Sequence, residues 1–137
     1  MTIWKKPATP QALNQFAVNT IIQHLGIEIT DIGDDSITAT MPVEHFTRQP
    51  MGFLHGGASV VLAETLGSVA GHLAAEEGTN VFGVEINANH LRSVKHGKVT
   101  GVVKPLRIGR RMQVWDITIT DDEGEVICVS RLTKAVK

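Results

Sequence analysis

The sequence predicts an α+β domain in which a mostly antiparallel six-stranded sheet wraps around one long central helix. Six segments have the length and apolar pattern of strands, two before and four after residues 58–75. Those residues are rich in Ala, Val, Leu and Gly, and their length favours a buried helix of about five turns over a pair of strands. With 137 residues, 42% hydrophobic, the chain is the size of one domain, 1–137, and can bury a core.

The remaining elements follow in order along the chain. A first helix is predicted from Thr9, a capping residue followed by Pro10, to about His24, with apolar residues at helical spacing. Two alternating strands come next, separated by turn residues 33–35. The four later strands are expected at 81–89, 98–106, 113–120 and 126–136, with a turn at 121–124. A central helix that is apolar on nearly every side needs more cover than one sheet provides. We therefore expect an obligate homodimer.

Composition excludes several classes of function. The net charge of −1 argues against a protein that binds nucleic acid with its whole surface. No apolar run approaches the roughly 18 to 20 residues that span a bilayer, so we expect no membrane partner. Cys128 is the only cysteine, and no histidine spacing is typical of a metal site, so we expect neither a disulfide nor a bound metal. The expected location is cytoplasmic.

Glu64 is the first candidate for chemistry. It is the one charged residue between His55 and His72, in the middle of the predicted buried helix. A buried carboxylate is costly without partners, so it serves either a reaction or a structural ion pair, and both interpretations remain open here. Ser68 follows one turn later on the same face, where it could orient the carboxylate or a water.

The segment QPMGFLHGG at residues 49–57 is the second candidate. Gly56 and Gly57 open the helix, and free N–H groups at a helix start can polarise a carbonyl or hold an oxyanion. A plain glycine-rich turn is the alternative. Gly57 and Glu64 are seven residues apart, roughly 10 Å along a helix, whereas reacting groups must lie about 3 Å from the same atom. Two antiparallel helices in a dimer could pair Gly57 of one chain with Glu64 of the other.

The third candidate is a run of positive charge. Between Ile86 and Trp115 there is no acidic residue, yet seven of the 13 basic residues fall there. This segregation predicts a local basic patch suited to a polyphosphate ligand, although a solvated strand face would have the same composition. Residues 107–111 (RIGRR) are predicted to form a tight turn between two strands.

The stretches QPMGFLHGGA at 49–58 and LAETLGS at 62–68 together resemble the hot-dog-fold thioesterases of the phenylacetate-pathway and Arthrobacter-type 4-hydroxybenzoyl-CoA group. The resemblance extends over nearly the whole chain. It implies a hot-dog fold, hydrolysis of acyl- or aroyl-CoA thioesters and no cofactor, because CoA is part of the substrate. It also implies a homotetramer built as a dimer of dimers.

Residue roles follow from the same resemblance. Glu64 takes the place of the catalytic carboxylate, acting as nucleophile or as general base on water, and Ser68 of a polar helper. Gly56 and Gly57 match the helix start that polarises the thioester carbonyl, while Gln49 and His55 flank the thioester. The residues expected to bind substrate and CoA are Gly83, His90, Leu91, Arg92, Ser93, Arg107, Ile108, Gly109, Arg110, Arg111 and Met112. Met51 departs from the family, where Phe is common.

Three substrates or reactions remain open within this resemblance. The stretches GASVVLAE, GSVAG and EINANH are most similar to members that hydrolyse 1,4-dihydroxy-2-naphthoyl-CoA in menaquinone biosynthesis. A sibling group clears misacylated aryl carrier protein in enterobactin-type siderophore synthesis, which would make a carrier protein the partner. A hot-dog dehydratase or hydratase is a weaker alternative, in which His55 would move protons.

Overall fold

The computed structural model describes all 137 residues, Met1–Lys137. It confirms the predicted α+β architecture, an antiparallel six-stranded sheet with a long helix packed against it. The elements in chain order are α1 (Pro10–Phe16), α2 (Ile21–His24), β1 (Glu28–Ile32), β2 (Ile37–Pro42), α3 (Gly56–Ala74), β3 (Val81–His90), β4 (Lys98–Ile108), β5 (Met112–Thr120) and β6 (Val126–Val136).

The strands lie in the order β1-β2-β4-β5-β6-β3, and every neighbouring pair is antiparallel. Strands β1 and β3 are therefore the two edges. Most residues of β3 are exposed, including Phe82 at 55% and Val84 at 61%. A ten-residue edge strand with large apolar side chains exposed is a surface on which another strand can pair.

The prediction of one helix from Thr9 to His24 was wrong. The structure has two short helices, capped separately by the hydroxyls of Thr9 and Thr20. Asn19 between them has a positive φ of 64°, which no helix interior accepts. The helical spacing of apolar residues also predicted that Phe16 faces the core, but its side chain is 85% exposed.

Helix α3 begins at Gly56, two residues before the predicted start, and is capped by His55. One side of it packs on the inner face of the sheet, where Leu62 and Leu66 are fully buried near the large Trp115 side chain. The opposite side is not covered by the sheet. It carries residues spaced three or four apart that are half-buried or exposed: Gly57, Val61, Glu64, Ser68 and His72. We call these five residues the open stripe of α3.

Candidate active site

Glu64 lies on the open stripe, about midway along α3, and is half-buried. Its carboxylate reaches the edge strand β3. A Cβ atom added at Gly83 would lie 2.9 Å from Glu64 Oε2, so the glycine leaves the room that the carboxylate occupies. Gly83 was predicted to contact substrate or CoA, and the structure puts it directly against the predicted catalytic group.

The start of α3 offers one free backbone donor. His55 Nδ1 accepts the N–H of Gly57 at 2.8 Å, and His55 O accepts the N–H groups of Ala58 and Ser59. The N–H of Gly56 has no acceptor within the chain. Of the two predicted glycines, Gly56 is therefore the one whose N–H is available to a carbonyl, because the N–H of Gly57 is already used by the cap.

A cavity of about 450 Å³ opens at this end of α3. It brings together residues that the sequence predicted in two separate groups. One group is Gln49, predicted to flank the thioester, with Gly56, predicted to polarise its carbonyl, and the other is the CoA-binding segment 90–93. The lining consists of Gln49, Phe53, Leu54, Gly56, Ser59, His90, Leu91, Arg92, Ser93 and Ile127. Phe53, Leu54, Ser59 and Ile127 were not predicted. Phe53 and Leu54 lie within the segment that the sequence singled out, so their position was the available signal.

The loop before α3 is held in place by a buried threonine. The hydroxyl of Thr47 donates to Pro42 O at 2.8 Å, and Thr47 O accepts the N–H of His55 at 2.8 Å. The N–H of Gln49 donates to Phe53 O at 2.7 Å, which folds the loop tip back on itself. Met51, at the tip, is 77% exposed and does not line the cavity.

Within one chain, Glu64 and the free donor of Gly56 do not meet. They are eight residues apart on α3, which corresponds to about 12 Å along the axis. Glu64 does not line the cavity at Gly56. A single chain therefore lacks a place where one carbonyl could contact both groups.

The expectation of one basic patch was wrong for the single chain. Arg92 borders the cavity at the start of α3. Arg107, Arg110 and Arg111 surround the turn between β4 and β5, and Arg110 lines a second cavity with Ala74 at the other end of α3. Because α3 has 19 residues, the two groups lie roughly 28 Å apart along its axis.

Lys134 is a charged residue near Glu64 that the sequence analysis missed. It is only 3% exposed, and its Nζ donates to Ser68 O at 3.3 Å. Burial lowers the pKa of Lys134, and the nearby negative charge of Glu64 opposes that shift. The signal was present in the strand alternation, because Ser130, Leu132 and Lys134 occupy every second position and share the buried face.

Ser68 follows Glu64 on the open stripe, but no hydrogen bond joins its hydroxyl to the Glu64 carboxylate. Burial raises the pKa of the Cys128 thiol, which lies in the core and does not line the cavity at the start of α3. No group of three or more His, Cys, Asp or Glu side chains is placed to hold a metal ion. No helix of the chain combines the length and the apolar character that crossing a membrane requires.

Comparison with known proteins shows the family to which the chain belongs. Residues 51–128 match the thioesterase superfamily. The chain belongs to this superfamily. Two similar proteins are the 1,4-dihydroxy-2-naphthoyl-CoA hydrolase of Escherichia coli and the proofreading thioesterase EntH of Cronobacter turicensis. Each is 54% identical over 134 residues, covering 98% of this chain and 98% of the relative.

Solved structures of thioesterases share the fold closely. A thioesterase of Haemophilus influenzae superposes with a TM-score of 0.97 at 55% identity, covering 99% of this chain and 95% of that one. A variant of a Pseudomonas aeruginosa thioesterase gives 0.96 at 44% identity, covering 98% of each chain. The predicted hot-dog thioesterase fold is confirmed, and so is the predicted activity class, hydrolysis of a thioester.

Proposed function

We propose that this thioesterase hydrolyses acyl- and aroyl-CoA thioesters, with 1,4-dihydroxy-2-naphthoyl-CoA of menaquinone biosynthesis as its foremost substrate. The stretches GASVVLAE, GSVAG and EINANH favour the naphthoyl-CoA substrate, and one observation carries the proposed hydrolytic chemistry. A lone carboxylate, Glu64, lies on the open stripe of α3, and the start of the same helix presents the unused N–H of Gly56 inside a cavity. A carboxylate and a free N–H are the two groups that thioester hydrolysis needs.

In the proposed reaction the thioester carbonyl oxygen accepts the N–H of Gly56, which stabilises negative charge as the carbonyl carbon is attacked. Glu64 attacks that carbon itself, or it takes a proton from the water that attacks. When water attacks, Glu64 passes the proton it has taken to the leaving sulfur, and the C–S bond breaks to give the free acid and the CoA thiol. When Glu64 attacks, the C–S bond breaks as the carboxylate oxygen bonds to the carbonyl carbon, and the thiolate takes a proton from water. A second water then hydrolyses the resulting anhydride to the free acid and restores the Glu64 carboxylate. Gln49 lines the cavity with Gly56 and would border the thioester there, while His55 caps α3.

We propose that each site is shared between two chains, because Glu64 and Gly56 of one chain lie about 12 Å apart. Two antiparallel copies of α3, packed along their open stripes, would put Gly56 of one chain beside Glu64 of the other. The exposed edge strand β3 supports this arrangement, since pairing two copies of β3 would cover Phe82 and Val84. Two such dimers would form the homotetramer that the family resemblance implies.

The same antiparallel arrangement would bring the arginines of the β4–β5 turn in one chain close to Arg92 of the other. The β4–β5 turn of one chain lies at the end of its α3, which the dimer would bring to the start of α3 in the partner. Arg110 and Arg111 would then lie near the cavity that Arg92 borders. We propose that these arginines hold the phosphates of CoA, because guanidinium groups bind phosphate oxygens well.

A carrier-protein substrate is the second candidate. The proofreading thioesterase and the naphthoyl-CoA hydrolase are equally similar to this chain, at 54% identity, so overall similarity favours neither. Dehydration or hydration of an acyl thioester is the weaker alternative. In that reaction a histidine moves the proton, whereas His55 Nδ1 already accepts the N–H of Gly57.

The test combines one variant with two substrate classes. Glu64→Gln keeps the shape of the side chain but can neither attack carbon nor accept a proton from water, so turnover should fall far more than tenfold. The exposed Glu77→Gln is the matched control and should leave turnover unchanged. Thiol release is followed with a trapping dye.

Two outcomes would contradict the proposal. If Glu64→Gln keeps more than about a tenth of the wild-type rate, a barrier change below ~1.4 kcal/mol, Glu64 is not the catalytic carboxylate. If an acylated aryl carrier protein is hydrolysed with a higher kcat/KM than every aroyl-CoA in a panel, the carrier protein is the substrate.

A further inference from the structure

The loop that carries Gln49 is held at its base rather than at its tip. Arg48 and Leu54 form an isolated antiparallel bridge that closes the base, and we call residues 48–54 the Gln49 loop. All hydrogen bonds of residues 49–53 stay within the loop. The N–H of Gln49 donates to Phe53 O, and Gln49 Oε1 accepts the N–H of Met51. The position of Gln49 in the cavity therefore depends on what holds the base.

Two consecutive carbonyls of segment 92–96 hold that base. Val94 O accepts the N–H of Leu54 at 2.7 Å, and Lys95 O accepts the Nε–H of Arg48 at 3.1 Å. A terminal N–H of the same guanidinium donates to Val43 O at 3.3 Å, just after the end of β2. Arg48 is half-buried, and it joins the loop by side-chain hydrogen bonds to both neighbouring segments.

Segment 92–96 also forms part of the cavity wall. Arg92 and Ser93 line the same cavity that Gln49 and Phe53 line from the loop. The ammonium of Lys95 lies 5.1 Å from the centre of the Phe53 ring, a cation–π contact between the two segments. The distance between these two parts of the wall is therefore fixed at residues 94 and 95, where the base of the loop is bonded.

We propose that Arg48 is a positioning residue, which holds the Gln49 loop against segment 92–96 and so sets the place of Gln49 beside the thioester. The inference rests on the proposed hydrolysis of CoA thioesters. The planar guanidinium can donate to two carbonyls at once in a fixed geometry, which a lysine ammonium reproduces poorly. No carboxylate forms an ion pair with Arg48, so direct binding of a CoA phosphate is the alternative role that the test must separate.

The kinetic test compares Arg48→Met with a matched control, Arg131→Met, which removes an exposed arginine far along the chain. We expect kcat of Arg48→Met to fall about tenfold. A misplacement of about 1 Å can cost 10²-fold, and the bond from Leu54 N–H to Val94 O limits the shift. KM should change less than about threefold and keep the salt dependence of the wild type. Arg131→Met should keep the wild-type kcat.

A double-mutant cycle shows whether Arg48 acts through Gln49. Gln49→Ala alone should lower kcat. In that background Arg48→Met should lower it further by less than about threefold, because the group that Arg48 positions is already gone. Arg48→Lys should give a kcat between those of the wild type and Arg48→Met, because it keeps the charge without the two-carbonyl geometry. If Arg48→Met does not fold, the same cycle is run with Arg48→Lys.

Three results would overturn the inference. They are a kcat of Arg48→Met within twofold of the wild type, a tenfold loss that is equal with and without Gln49→Ala, and a rise in KM with a weaker salt dependence. The last result would make Arg48 a phosphate ligand. The measurements use whichever aroyl-CoA of the panel is hydrolysed fastest, so the inference needs no particular acyl group. Failure to hydrolyse 1,4-dihydroxy-2-naphthoyl-CoA would refute the proposed function alone.

Discussion

Gly83→Ala is predicted to reduce catalysis while leaving the fold intact. The new Cβ would lie 2.9 Å from Glu64 Oε2, whereas ordinary contact begins at 3.4 Å. The carboxylate oxygen must therefore move by about 0.5 Å or rotate. Because a displacement of about 1 Å in a reacting group can cost a factor of 10², we expect kcat to fall by about 10- to 100-fold, or roughly 1.4 to 2.7 kcal/mol.

Stability should change in the opposite direction or not at all. The atom that must move is the far end of a flexible side chain, so the backbone of β3 need not shift. Gly83 is exposed and lacks a positive φ, and replacing a strand glycine with alanine typically stabilises by about 0.5 to 1 kcal/mol. Thermal unfolding of the variant should therefore match or exceed that of the wild type.

The assay measures kcat and KM for thiol release, together with thermal unfolding and the oligomeric state. Val84→Ala is the matched control, because Val84 is the next residue on the same edge strand and is 61% exposed. It should keep kcat near the wild-type value. Gly83→Ala with more than half of the wild-type kcat would refute the placement of the carboxylate, and an equal loss in Val84→Ala would trace the effect to assembly.

Three further predictions concern assembly, CoA binding and pH. Two chains that are each inactive alone are mixed: Glu64→Gln, and Gly56→Val, which blocks the start of α3. Hybrid dimers should recover activity toward half of the wild-type value per dimer. If activity does not recover although subunit exchange is proven, both groups act within one chain. Arg110→Ala and Arg111→Ala should each raise KM more than they lower kcat, with weaker binding at high salt, and an unchanged KM in both would count against phosphate binding there. Burial raises the pKa of Cys128 above its ordinary 9.0, so the thiol loses its proton more readily in the unfolded chain than in the folded one. The free energy of unfolding should therefore decrease as the pH rises above 9.0. Urea unfolding of Cys128→Ala should lack this pH-dependent decrease.

Elements with a strong local pattern were predicted well. The strict alternation of β2 and β5 and the alanine-rich apolar stretch of α3 each indicate one structure, because burial on one face or on most sides requires that periodicity. The single helix predicted from Thr9 to His24 was wrong because of the backbone conformation of one residue. A single residue, Asn19, takes a left-handed conformation and ends the helix, and apolar spacing carries no information about that.

The candidate site was predicted residue by residue but not in its arrangement. Glu64 and the glycine pair were identified because charge and glycine are unusual beside so apolar a segment. The basic run was misjudged, because Arg92 precedes the extended 11-residue strand β4 and Arg107 lies near its other end, so the strand itself separates them. Phe53 and Ile127 reach the same cavity from segments about 70 residues apart, which no spacing rule could have joined.

The sequence by itself determined the type of each element, the presence of a lone carboxylate on a buried helix, and membership of a thioester-hydrolysing group. These properties depend on local periodicity and on the chemistry of single residues. Only the tertiary structure decided that the N–H of Gly56 is the free donor, that Gly83 makes room for Glu64, and that Lys134 lies buried close to that carboxylate. Such relations arise when strands distant in sequence pack on one helix, because contact across a sheet depends on register and strand order rather than on separation along the chain.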